Sequence, residues 1–170
     1  MNNRFQFFTI LFFSLLLGSC NITTGLEEPD METIKVDGVW KSESGNLASN
    51  LRKQLQSRTL QIYQDFRYSL KDTDYAANVS LAEGVLEFEN DLDLKGVFPV
   101  TIHQTYPTPI TYQGIAEINM EVKPIEMTIE YVQVFPSQEV ALAPPVAEEG
   151  FGSTENFNLG ICNVQKFSIQ

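Results

Sequence analysis

The sequence predicts an all-β, mainly antiparallel fold: an up-and-down barrel of about eight short strands with one short helix, or a two-sheet sandwich as the competing architecture. Three observations point there. Apolar and polar residues alternate at period two through most of the chain after residue 34. Turn chemistry recurs at close intervals, at Asp65-Phe66, Pro107 to Pro109 and Lys123-Pro124. Only one stretch, 46–57, carries a helical period.

Residues 1–19 read as an export signal. Arg4 supplies the positive start, residues 5–17 an apolar run rich in Phe, Ile and Leu, and Gly18 and Ser19 small residues before a cut. The run is shorter than the roughly 20 apolar residues of a membrane-spanning helix. Leu17-Gly18-Ser19-Cys20 resembles the lipobox of bacterial lipoproteins. That resemblance implies cleavage between Ser19 and Cys20, a diacylglycerol on the Cys20 thiol and an acylated new amino group. Each acyl CH₂ buried in a bilayer contributes about 0.8 kcal/mol, so several chains would anchor the protein durably where one would not. In enteric members of the family an Asp after the lipidated Cys holds the protein in the inner membrane. Asn21 stands there instead, which points to the outer membrane.

Residues 20–33 are polar, with acids, Thr, Gly and Pro and no apolar period, and read as a flexible tether. The domain then runs over 34–170. Ile34, Val36 and Trp40 share one face of an extended segment. Gly38-Val39-Trp40 resembles the Gly-x-Trp of lipocalins and lipocalin-like bacterial domains, in which the Trp plugs one end of the barrel. The arginine that covers this Trp from the last lipocalin strand is absent, and Lys166 is the nearest substitute for it. Thr73-Asp74-Tyr75 spells a second family motif but follows Trp40 too soon for the family spacing.

Over 46–57, Asn46 is a candidate cap, and Leu47, Leu51 and Leu55 repeat along one helical face. Such a helix would close one end of the core or cover a pocket. Strands follow. Leu60 and Ile62 lead into the Asp65-Phe66 turn, and Tyr68 and Leu70 return from it. Val79 and Leu81 lie before Glu83-Gly84, with Leu86 and Phe88 after it. Phe98, Val100 and Ile102 mark a strand over 96–105. Segments 112–122 and 125–135 form a longer hairpin about Lys123-Pro124, and 161–169 is the last strand. Between 136 and 160, Pro136, Pro144, Pro145, Gly150 and Gly152 interrupt the pattern. A loop that long is either an insertion or a flap or contact surface.

The full chain has 11 basic and 22 acidic residues. Loss of Arg4 with the signal leaves ten against 22, a net charge of −12. That balance argues against nucleic acid and anionic lipid as electrostatic partners. With Cys20 acylated, Cys162 has no disulfide partner and reads as a small buried apolar residue. Glu87, Glu89, Asp91 and Asp93 occupy alternate positions, the pattern of a solvated strand face. One such face cannot surround a calcium ion that takes six to eight oxygens. His103 is the one histidine, and there is no Gly-x-Ser-x-Gly, no second His for zinc and no phosphate loop.

These readings give no enzyme signature and no cofactor. They lead to a monomeric, non-catalytic envelope lipoprotein that binds a small apolar ligand or a protein partner. The alternatives are a surface-interaction lipoprotein with a packed core and, third, an envelope enzyme. The candidate pocket residues are Trp40, Phe88, Phe98, Ile102, Tyr112 and Ile129. The long loop and the 46–57 stretch are candidates to cover the mouth.

Overall fold

A computed structural model describes residues 36–88, 96–138, 142–156 and 162–170. The chain forms a closed barrel of eight antiparallel strands in simple up-and-down order. The strands are β1 (Gly38–Glu43), β2 (Leu55–Ile62), β3 (Arg67–Asp74), β4 (Val79–Phe88), β5 (Val97–Tyr106), β6 (Ile110–Asn119), β7 (Glu126–Phe135) and β8 (Gln165–Ile169). Each pairs with its neighbour in sequence. β1 meets β8 through Trp40 opposite Ile169 and Lys41 opposite Ser168, which closes the wall and removes the open edges a sheet would present. The competing sandwich is therefore excluded.

Period-two alternation decides which side chains enter the barrel. Trp40, Leu60, Ile62, Tyr68, Leu86, Phe98, Val100, Ile102, Ala116, Ile118, Met127, Ile129 and Phe167 are buried in one cluster. Gly84 and Gly114 allow close approach of backbones. A Cβ at Gly84 would strike the carbonyl oxygen of His103 on β5, and one at Gly114 the carbonyl oxygen of Glu130 on β7. Gly84 lies at a register shift in the pairing of β4 with β5, so the chain passes through Glu83-Gly84 as one strand with a bulge. The break between two short strands that Gly84 suggests in sequence is not there.

The up-and-down order puts the β2–β3 and β6–β7 turns at the same end as the start of β1. The β1–β2, β3–β4, β5–β6 and β7–β8 connections lie at the other. The first end is plugged. Trp40 is fully buried, and its indole N–H donates to the Val36 carbonyl at 2.8 Å. Phe66 in the β2–β3 turn meets Phe88 edge to face at 5.4 Å, and Phe88 meets Phe98 at 5.7 Å. Lys166, on the outward parity of β8, is exposed and covers nothing.

The helix expected over 46–57 does not form. One 3₁₀ turn, Ser44–Asn46, is followed by Leu47 in an extended conformation with ψ 142°. Short turns then bring the amides of Arg52 and Leu55 back to the carbonyls of Ala48 at 3.1 Å and Leu51 at 2.8 Å. Leu55 already belongs to β2 and lies opposite Asp74. A helix this short is marginal in isolation, and the strand pairing takes its last turn. Of the three leucines only Leu47 is fully buried. The last strand is also shorter than expected, since 162–164 are not in strand.

Candidate functional site

A cavity of about 230 Å³ lies inside the barrel above the aromatic plug. Its walls are mostly apolar: Leu60, Leu86, Phe88, Val100, Ile102 and Ile129 among others. A second chamber of about 290 Å³ sits at the opposite, loop-rich end, lined by Ala48, Leu51, Val132, Gln138, Leu142 and Gln165 among others. The two adjoin, because Arg58, Tyr112 and Tyr131 line both.

These three residues form a polar waist. Arg58 faces inward because it shares the β2 parity of Leu60 and Ile62, and Asp72 because it shares that of Leu70 and Tyr68 on β3. The register sets Arg58 directly opposite Asp72. Arg58 Nε donates to Asp72 Oδ1 at 2.7 Å and Nη2 to Oδ2 at 2.6 Å, a two-pronged ion pair. Nη1 donates to the Tyr131 hydroxyl at 3.0 Å and to Gln165 Oε1 at 3.2 Å. Burial pulls the guanidinium pKa down, but Tyr131 and Asp72 outweigh it and hold Arg58 above the ordinary arginine value.

Tyrosines surround the pair. Tyr112 and Tyr131 stack edge to face at 5.3 Å. Burial, with Tyr131 second, pushes the Tyr68 and Tyr112 phenols above the ordinary tyrosine value, so both remain neutral donors. Gln165 is buried, and its Nε2 has no hydrogen-bond partner among the described residues. A site with an apolar floor and a donor-rich collar is built to hold a small molecule with one polar end.

Of the six pocket residues expected from sequence, Phe88, Ile102, Tyr112 and Ile129 line the inner cavity. Trp40 and Phe98 do not; they belong to the packed cluster below it. The polar collar of Arg58, Asp72, Tyr68, Tyr131 and Gln165 was not among those six. Its signal was present in the alternation, which puts a cation and an acid on apolar strand faces. Ser19 and Cys20 lie outside the described residues, as do Glu89, Asp91 and Asp93. Glu87 is exposed on the outer wall, where its carboxylate meets His103 Nε2 at 3.0 Å. Cys162 is half-buried, and its thiol donates to Glu155 Oε1 at 2.9 Å.

Residues 152–154 of the connection after β7 lie against the outside of the barrel. Glu130 points outward yet is fully buried. Its carboxylate accepts from the Gly152 amide at 2.6 Å, the Thr154 amide at 3.0 Å and, in a short contact, the Thr154 hydroxyl. Asn163 adds a bond to Thr154 at 3.2 Å and accepts one from Asn50 of the β1–β2 connection at 3.2 Å. The two connections at the mouth are thereby joined. Ile115, beside Glu130 in the register, is also fully buried on this outer side.

Among the described residues no helix is long and apolar enough to cross a membrane, and no three His, Cys, Asp or Glu side chains gather as a metal site. No protein-family model, curated protein or solved structure matches this chain.

Proposed function

We propose that this protein is a lipid-anchored lipoprotein of the bacterial cell envelope, acylated at Cys20 and anchored in the outer membrane, whose barrel binds a small, largely apolar molecule without chemical change. The observation that carries the binding half is the apolar inner cavity of about 230 Å³ that adjoins the mouth chamber through a single waist. Ligand pockets commonly lie in barrel mouths and run to about 300–1,000 Å³. The inner cavity alone is smaller than that, which favours a compact ligand. The anchoring half rests on Leu17-Gly18-Ser19-Cys20.

Two measurements test it. Metabolic labelling with a fatty acid is expected to mark the wild type and leave Cys20→Ala unmarked; equal labelling would remove the anchor. Titration with an apolar fluorescent probe is expected to saturate, and to weaken at least about tenfold when Ile129→Glu puts a charge in the cavity wall. An unchanged titration in a folded Ile129→Glu protein would remove the carrier reading.

A further inference from the structure

We infer that the ligand is an uncharged amphiphile: a compact apolar body in the inner cavity and one neutral oxygen-bearing head, such as an alcohol, ketone or ester, at the Arg58–Tyr131 waist. This rests on the carrier reading above and adds the chemistry of the head.

Most donors of the waist are already in use. Asp72 takes Nε and Nη2 of Arg58, and Tyr131 and Gln165 share Nη1. The guanidinium is thus neutralised by a carboxylate in the same chamber wall, and an entering anion would meet Asp72 as closely as Arg58. In a partly desolvated space such like-charge proximity is costly. A cation fares no better, because Asp72 is already held by the guanidinium.

Four of the five guanidinium N–H groups are thus engaged, and apart from the second hydrogen of Nη2 the donors that remain are neutral. The Tyr131 oxygen accepts from Arg58, which leaves its own hydrogen to donate. The hydroxyls of Tyr68 and Tyr112 line the cavity and hold their protons. Gln165 uses its oxygen on Arg58, and its buried Nε2 still lacks an acceptor. Buried donors of this kind are normally satisfied. These donors ask for one good acceptor oxygen rather than a charge, and the walls beneath are mostly apolar.

The test compares three probes of one chain length, octanol, octanoate and octane, by calorimetry on the full chain, with heats into matched protein-free buffer subtracted. Octanol is expected to bind about tenfold or more tightly than octanoate. Tyr131→Phe is expected to weaken octanol about fivefold while leaving octane unchanged. Asp72→Asn, which leaves Arg58 unbalanced, is expected to reverse the order in favour of octanoate. If Asp72→Asn does not fold, the Tyr131→Phe comparison decides. Octanoate binding as tightly as octanol to the wild type, or all three probes binding alike, would overturn the head assignment and leave the carrier reading standing. No binding by any of the three, octane included, would count against both.

Discussion

The two ends of this barrel solve the same problem with opposite chemistry. At the plugged end, Trp40, Phe66, Phe88 and Phe98 fill the space with rings, and the one polar atom of the plug finds a carbonyl four residues away. At the open end the interior narrows on an ion pair, three phenols and an amide, with a cavity on either side. The first arrangement derives its stability from contact area, which is non-directional and tolerant of exchange among large side chains. The second depends on each partner being present, because the groups left behind by a deletion stay buried. The comparison assigns stability mainly to one end and selectivity to the other.

The largest expected effect lies at the plug. Trp40→Ala removes the fully buried indole and strands the Val36 carbonyl, and should cost about 5 kcal/mol in denaturant unfolding. A loss below about 2 kcal/mol would mean that the plug is not where the stability resides.

Next comes the waist. Arg58→Met leaves the half-buried Asp72 without its partner and should cost about 2 kcal/mol. Adding Asp72→Leu to it should recover most of that loss, since an apolar pair of similar volume is often neutral or better. No comparable second change should rescue Trp40→Ala. A double variant no more stable than the single one would blur the contrast between the ends.

A smaller effect belongs to the outer wall. Glu130→Gln keeps the shape but weakens the charge-assisted bonds to Gly152 and Thr154, for about 1–2 kcal/mol. Hydrogen exchange should rise at the Gly152 and Thr154 amides and remain unchanged at the plug. Uniform acceleration across the barrel would mean that the clamp is part of the global fold.

The smallest effect is at an exposed turn. The Asp74 carboxylate accepts from the Asn78 side chain and from the amides of Ala76 and Asn78, and these bonds hold it below the ordinary aspartate value. A depressed carboxylate contributes stability that is fully present above the unfolded value of about 4 and is lost as pH falls through the folded value. Asp74→Ala should therefore lower Tm slightly at neutral pH and flatten the acid side of the Tm–pH curve. A difference confined to pH above 7 would contradict this.

Much of this molecule was legible because a barrel wall has one inner face. Tyr112, Ile129 and Ile102 could be assigned inward from parity alone, and the hairpins about Asp65-Phe66 and Lys123-Pro124 announce themselves by their turn residues. Parity also contained Arg58 and Asp72, on the faces of Leu60 and Leu70, but a lone charge on an apolar face gives no hint of its partner until the register sets the two opposite each other. Leu47, Leu51 and Leu55 misled because four-residue spacing is also compatible with a turn running into a strand, and pairing with Asp74 decided for the strand. Gly84 misled because a glycine required by a bulge resembles one required by a turn. Glu130 was beyond reach: in Ile129-Glu130-Tyr131-Val132 its burial comes from a loop that passes over the outer wall some twenty residues later, and period two describes a wall with water on one side.

The seam between β1 and β8 sets the order of assembly. Strands β2 to β7 can each pair as soon as the next has been synthesised, since every partner is the next strand along. β1 is different. Its second neighbour is β8, the strand farthest from it in sequence, and among the described residues the joint comprises the pairs Trp40 with Ile169 and Lys41 with Ser168, plus the amide of Gln170 on the carbonyl of Val39 at 2.9 Å. Closing a loop of nearly the whole domain for so few bonds is entropically late. Until it closes, β1 and β8 are both bare edges on a half-curled sheet (without β8 the second bare edge is β7), the state from which strands of separate chains pair with each other. A nascent chain halted or trimmed before Gln165 would be held in that state, with Trp40 lacking its last wall. Residues 165–170 thus decide whether the wall closes or keeps its open edges.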